Sequence, residues 1–298
     1  MLEKKIKVNT KVLVRSKTAF GWAINPYNGC SHGCRYCYGM GTTHKCYTEW
    51  IRVELRKGLI ERLKEDIRKL KRAYQRENIR DIFLGAITDS YQPLERKYEQ
   101  TKQVIEVLTE NELPFSILTK NDLVLRDIDL LRSYKWCRVG VTITSLDENF
   151  RKEVEPFTVD YGKRIEVLAA LKENGISTYL SCEPIMPVVE SDPLPLLPKL
   201  RDVVNLFDFG IYTNHGEYDY VPMQYLKHYK DDKFYYDVFS RVIQYCNDNN
   251  INYCISSHSR SFFKKYKLPF KPYPLLKPKP LRTQMILADF LANTAHQR

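Results

Sequence analysis

The chain has 298 residues, with 47 Lys and Arg against 36 Asp and Glu, a net charge of +11. A hydrophobic fraction of 43% and a charged fraction of 28% fit an ordinary soluble globular protein, and exclude collagen, wholesale disorder and a membrane bundle. No uncharged apolar run approaches the ~20 residues of a spanning helix. The N-terminal MLEKKIKVNTKVLV has no apolar core followed by small residues, so no secretory signal is expected and the protein is read as cytoplasmic. The positive balance points to an anionic partner such as nucleic acid. A Lys-rich solvated surface is the plainer reading of the same excess.

In chain order, residues 11–24 read as an opening strand or hairpin, and 25–50 as a structured, aromatic-rich loop. Residues 52–76 read as a helix, because Leu55, Leu59, Leu63, Ile67 and Leu70 keep helical spacing. Short apolar strands are then expected at 81–87, 114–119, 137–144, 177–183, 206–212 and 252–256. Helices are expected between them at 95–111, 127–133, 161–174, 199–204 and 233–250. Gly175 supplies the stop of the third of these helices. Strands alternating with helices mean βα units and a mostly parallel sheet.

The fold class is therefore α/β, a partial (β/α)6-type TIM barrel with a C-terminal extension. A doubly wound open sheet is the runner-up. Neither a dinucleotide GxGxxG nor a P-loop is present. The barrel is expected over 1–260, with a basic, Pro-rich extension over 261–298. Within 262–282, Lys264, Lys265, Lys267, Lys271, Lys277, Lys279 and Arg282 interleave with aromatics and prolines. This segment suits either a strap across the barrel or a nucleic-acid backbone with bases stacked on the rings.

Eight cysteines are too sparse for a disulfide scaffold. Three of them, Cys30, Cys34 and Cys37, lie in NPYNGCSHGCRYCYG, residues 25–39. Thiolates this close can converge on one metal centre. A [4Fe–4S] cube normally takes four cysteines, so a triad leaves one iron open to a small molecule. The alternative is structural zinc, with His32, His44 or Cys46 as fourth ligand. Zinc sites prefer two separated pairs, and no second pair is present.

The C-x3-C-x2-C spacing, with Tyr36 before the third cysteine, resembles the radical S-adenosylmethionine (radical SAM) superfamily. The strings NPYNGCSHGCRYCY, ITDSYQPLE at 87–95, SILTKNDLVLRDIDLL at 116–131 and VTITSLDENFRKEVEP at 141–156 are similar to its spore photoproduct lyase-like branch. The resemblance covers roughly residues 22–190. It implies a cluster on Cys30, Cys34 and Cys37, and S-adenosylmethionine bound at the open iron. Reductive cleavage would give a 5′-deoxyadenosyl radical that abstracts hydrogen from substrate. A one-electron donor such as flavodoxin or ferredoxin would be needed. The branch's name points to nucleic-acid bases or lesions; a peptide or small metabolite is the alternative. A non-catalytic iron–sulfur or zinc protein that binds nucleic acid is a third reading.

Ligands of parallel barrels sit at the C-terminal ends of strands. Within the resemblance, Thr88–Asp89 is expected at the amino group of the methionine moiety and Lys120 at its carboxylate. Thr144 or Ser145 would bond the ribose or carboxylate, and Tyr36 would lie against the adenine. Each of these residues could instead be a helix cap or turn residue. Enzymes of the branch return hydrogen from a cysteine outside the cluster. Cys182, at a strand end, is the candidate by position, although buried cysteine usually means packing. Tyr91, Tyr212 and Tyr218 are candidate relay residues, and His215, Glu217, His258 and Arg260 candidate substrate contacts.

Overall fold

The computed structural model describes residues 5–7, 10–16, 21–72 and 79–276. The opening strands are β1 (Lys5–Lys7), β2 (Val14–Arg15), β3 (Trp22–Ile24) and β4 (Tyr27–Asn28). The cysteine loop then leads into two short helices, α1 (Tyr38–Thr43) and α2 (Tyr47–Trp50). The stretch expected as one helix over 52–76 divides at Gly58 into β5 (Glu54–Lys57) and α3 (Leu59–Arg72). Leu55 thus belongs to a strand; β5 pairs with β1 and β4 in a small side sheet. Residues 73–76 lie outside the described part.

The remaining elements alternate. They are β6 (Phe83–Leu84), α4 (Glu95–Tyr98), α5 (Gln100–Glu110), β7 (Phe115–Thr119), α6 (Ile128–Arg132), β8 (Cys137–Thr142), α7 (Glu148–Val154) and α8 (Tyr161–Glu173). Then follow β9 (Ser177–Ile185), α9 (Leu196–Leu200), β10 (Leu206–Ile211), α10 (Asp232–Asp248), β11 (Tyr253–Ile255) and α11 (Arg260–Lys265).

The main sheet runs β11-β10-β9-β8-β7-β6-β3-β2, parallel throughout except for the β2–β3 hairpin. Among the described residues its two edges do not pair, so the barrel is partial. Its helix-facing side is apolar: Ile117, Val139, Val141, Leu180, Phe207 and Phe209 are buried against α5, α8 and α10. Its concave side carries Ser116, Arg138, Tyr179, Ser181, Asp208 and Cys254, a mixed polar and aromatic interior.

Two breaks have local causes. Strand β6 ends at Leu84 rather than 87 because Gly85 has φ +80, and a Cβ there would stand 2.5 Å from the Thr88 carbonyl. The helix expected over 95–111 is broken at Glu99 because the buried Glu95 carboxylate folds back to accept from the amides of Thr101 (2.8 Å) and Lys102 (3.2 Å). Helix α7 was not anticipated; Asp147 caps it by accepting from the amides of Asn149 and Phe150.

The start of the extension is helical, in α11, and only then extended. The extended part is a strap across the N-terminal end of the barrel. Lys271 accepts from the Ile255 amide at 2.7 Å, Tyr273 is buried edge-on against Tyr179, and Arg138 donates to the Pro274 carbonyl at 3.2 Å. Arg260 is exposed and lies 4.8 Å from the Phe270 ring, over the strap. Residues 277–298, with Lys277, Lys279 and Arg282, lie outside the described part. No described helix is long and apolar enough to cross a membrane.

Candidate functional site

The cysteine loop leaves the C-terminal end of β3 and is closed by backbone contacts. The Cys30 amide donates to Trp50 at 3.0 Å and the Cys37 amide to Cys34 at 3.2 Å. Gly29, at φ +86, lets Trp50 approach, since a Cβ would stand 2.6 Å from its carbonyl oxygen. Helix α7 clamps the loop from the far side. Its Phe150 and Val154 pack on Cys34 and Tyr36, and the Val154 carbonyl accepts from the Arg35 amide at 2.8 Å.

Cys30, Cys34 and Cys37 are free thiols in this enclosure. Burial pushes the Cys30 thiol up to about 12 and the Cys34 thiol well up, and it raises Cys37 too. Such sulfurs ionise only against a compensating cation, and metal binding supplies one while releasing the protons. Donors for thiolates are in place. The amides of Gly39 and Met40 and the indole of Trp50 face Cys37, and that buried indole N–H has no oxygen or nitrogen partner. A thiol is a poor acceptor and a metal-bound thiolate a good one, so the donor set fits a thiolate-ligated centre.

Among the described residues no three His, Cys, Asp or Glu converge tightly enough for a single ion. Tetrahedral zinc would need its sulfurs about 4 Å apart. The proposed fourth zinc ligands are placed elsewhere. Cys46 is exposed with its sulfur 3.3 Å from the Thr48 hydroxyl, and His44 packs edge-on against Tyr218. His32 is buried with Nδ1 3.2 Å from Asp89 and Nε2 3.4 Å from the Asn121 amide. A four-iron cube spreads its thiolates over a larger body than one ion.

Asp89 is the hub between the loop and the strand ends. One oxygen accepts from the Tyr91 amide and the Thr119 hydroxyl, each at 2.8 Å; the other accepts from the Lys120 amide at 2.8 Å and meets His32. Burial opposes its charge, but His32 and these donors hold the carboxyl down at about 2. Three protein donors thus reach the carboxylate, with His32 beside it. Asp89 therefore ties the loop to the ends of the strands. The Thr88 hydroxyl beside it is buried with no partner.

Lys120 is different. Its ammonium makes no ion pair among the described residues, lies 5.8 Å from the Tyr36 ring centroid, and is raised, against the cost of burial, by Cys34 and Glu155. The Tyr36 hydroxyl donates to Glu155, which also takes the Thr144 hydroxyl at 3.3 Å and pairs with Arg164 at 2.6 Å. Tyr36 and Thr144 are thus fixed by one buried network. Ser145 is spent on the protein, since its hydroxyl donates to the Glu190 carbonyl at 2.5 Å and accepts from the Asp147 amide at 2.9 Å.

Cys182 is not brought to the site. It is 1% exposed in the helix-facing core with Cys246 of α10 beside it, while its neighbours Ser181 and Glu183 face the interior. Strand alternation, period two, turns it away. Two of the three candidate tyrosines are hydrogen-bonded to carboxylates. Tyr91 bonds Asp127 at 3.1 Å and Tyr212 bonds Asp219 at 2.6 Å. His215 lies against Tyr38 of α1, with ring centroids 6.4 Å apart. The motif strings carried no sign of Glu155–Arg164 or of His32–Asp89 as pairs.

Comparison with known proteins decides the family. The model of the radical SAM superfamily matches residues 24–194, more than half of the chain. The chain belongs to the radical SAM superfamily. It is accordingly an enzyme, of a family whose cofactors are a [4Fe–4S] cluster and S-adenosylmethionine. An uncharacterized protein of Methanocaldococcus jannaschii is 34% identical over 171 residues, 56% of this chain and 61% of that protein. The chain thus spans less than two thirds of that relative.

Two solved structures share the fold of this radical SAM enzyme. SuiB of Streptococcus suis bound to S-adenosylmethionine has a TM-score of 0.61 at 15% identity, over 84% of this chain and 53% of SuiB. Spore photoproduct lyase complexed with dinucleoside spore photoproduct has a TM-score of 0.59 at 16% identity, over 74% of this chain and 65% of the lyase.

Proposed function

We propose that this enzyme holds a [4Fe–4S] cluster on Cys30, Cys34 and Cys37, cleaves S-adenosylmethionine reductively, and directs the resulting radical at a nucleic-acid base. The observation that carries the first half is the buried triad with an orphaned indole donor against Cys37 and an unpaired ammonium beside Cys34. When bound, the cluster and S-adenosylmethionine supply one-electron scission of the S–C5′ bond and a 5′-deoxyadenosyl radical, with a flavodoxin- or ferredoxin-type donor providing the electron.

The chain's own residues position and enclose. Lys120 would take the carboxylate of the methionine moiety. Tyr36, immobilised by Glu155, would form a wall for the adenosine. Asp89 and His32 hold the loop in register with the ends of β6 and β7. The Thr88 hydroxyl is a buried donor with no protein partner, available to the cofactor. Phe150, Val154 and Met186 seal water from the side of Cys34.

The nucleic-acid half rests on the +11 charge and on the likeness to a lyase captured with a dinucleoside. A peptide substrate is the second reading, favoured by the wider cover of SuiB, which is also captured with its precursor peptide SuiA. Two measurements test the proposal. The reconstituted enzyme with dithionite and S-adenosylmethionine should release 5′-deoxyadenosine, and Cys34→Ala should not. Binding of single-stranded DNA should weaken steeply with salt; a flat salt response would favour the peptide.

A further inference from the structure

Three groups at the mouth of the barrel are not among those assigned above to the cluster or its cofactor. Glu183 lies at the end of β9, and Ser256 and His258 follow β11. One carboxylate oxygen of Glu183 accepts from the Ser256 hydroxyl at 3.1 Å and lies 3.1 Å from His258 Nδ1. His258 Nε2 is 2.9 Å from the Ile211 carbonyl and Nδ1 is 2.9 Å from the Ser256 hydroxyl, so the imidazole is fastened at both nitrogens. The strand between them makes room. A Cβ at Gly210 would stand 2.9 Å from both the Glu183 carboxyl carbon and the His258 ring.

The fastening uses only one oxygen of Glu183. No protein donor reaches the other among the described residues, and the side chain is 31% exposed, open to the mouth rather than to the core. Asp208, one layer deeper, is pushed up to about 8 by burial and by Glu183. Against the cost of burial, His258 and Ser256 in turn hold the Glu183 carboxyl below its usual range. The charge of Lys120 helps to hold Glu183 low, and the charge of Glu183 in turn raises Tyr38 of α1, so Glu183 shares the mouth with both. A rigid carboxylate is an acceptor only. It rewards an N–H and repels a lone pair.

We infer that Glu183 is a specificity-determining residue that accepts, at its free oxygen, a ring N–H of the target base. Enzymes that act on an extruded base read its Watson–Crick edge by hydrogen bonds. Thymine, uracil and guanine present a ring N–H there, whereas adenine N1 and cytosine N3 present lone pairs. The inference deepens the nucleic-acid reading above and rests on it.

The test is anaerobic fluorescence anisotropy of the reconstituted enzyme with S-adenosylmethionine and short single-stranded oligomers of thymidine, deoxyinosine, deoxyadenosine or deoxycytidine. The wild type should bind the thymidine and deoxyinosine oligomers about tenfold more tightly than the other two. Glu183→Gln, which offers an N–H as well as a C=O, should erase that preference. His258→Gln, which keeps the carboxylate but loosens it, should keep the rank order with a smaller ratio, and it carries the test if Glu183→Gln does not fold. Iron content and melting temperature verify each variant. An absent preference in the wild type, or one unchanged in Glu183→Gln, overturns the role of Glu183 and leaves nucleic-acid binding standing. Failure of every oligomer to bind at low salt overturns the nucleic-acid reading and the inference with it.

Discussion

His32 Nδ1 stands 3.2 Å from Asp89 Oδ2, and both side chains are buried. This contact ties the middle of the cysteine loop to the turn after β6. Through the Lys120 amide and the Thr119 hydroxyl, the same carboxylate also holds the end of β7. The position of the loop over the sheet thus depends on one carboxylate.

Asp89→Asn should loosen that attachment without changing its size. The amide keeps one acceptor oxygen but loses the charge that His32 and the Lys120 amide meet. Residues that orient ligands without touching the metal typically cost 10–100-fold when removed. We expect less iron per chain after reconstitution and a 5′-deoxyadenosine yield down by about that factor. Full iron content with unchanged cleavage would show that the loop is held elsewhere.

The strands were legible because parallel strands buried on both faces read as short apolar runs. Phe115–Thr119, Cys137–Thr142 and Leu206–Ile211 fall within the runs expected for them. Parity within a strand was not legible. LSCEPIMP gives no sign of whether Ser181 and Glu183 or Cys182 face inward, because both sets are small or polar. Strand β5 was hidden because Leu55 continues the helical spacing of α3, and only Gly58 marks the break. The cysteine triad was plain from spacing, whereas the partners of Asp89 were not. Its bond to His32 joins residues 57 apart, and no local pattern encodes such a contact.

The Glu155–Arg164 pair should matter to folding before it matters to chemistry. Both side chains are 0% exposed and 2.6 Å apart, and Arg164 also donates to the Thr142 carbonyl at 2.9 Å. Removing one partner of a buried pair leaves an uncompensated charge and costs about 3–5 kcal/mol. Arg164→Met should lower the unfolding free energy from urea titration by that much. Adding Glu155→Leu should recover part of the loss, though Tyr36 then loses its acceptor. A single-variant loss under about 1 kcal/mol would mean that water reaches Glu155.

Cys182 gives a sharper contrast. Its thiol is enclosed by the helical layer, and burial holds it well above its usual range. Cys182→Ser would bury a hydroxyl that prefers a partner, at about 1–3 kcal/mol. The midpoint of unfolding should fall, while 5′-deoxyadenosine formation by the folded variant stays at the wild-type rate. Loss of product turnover with unaltered stability would return Cys182 to the reaction.

The interior acid Asp208 makes stability depend on pH. Burial, then the charge of Glu183, raises its folded value to about 8, against about 3.9 in an unfolded chain. Below about pH 4 both states are protonated and the contribution is fully present. As pH rises, the unfolded chain releases its proton first, so this contribution to stability is lost progressively up to about pH 8. Asp208→Asn stays neutral throughout and can still accept from the Ser181 hydroxyl, 3.4 Å away in the wild type. Urea midpoints should favour the variant more at pH 7.5 than at pH 4.5, with groups elsewhere cancelling between the two proteins. A difference that is flat with pH would show that Asp208 is already ionised in the folded barrel, and that Glu183 does not hold the charge alone.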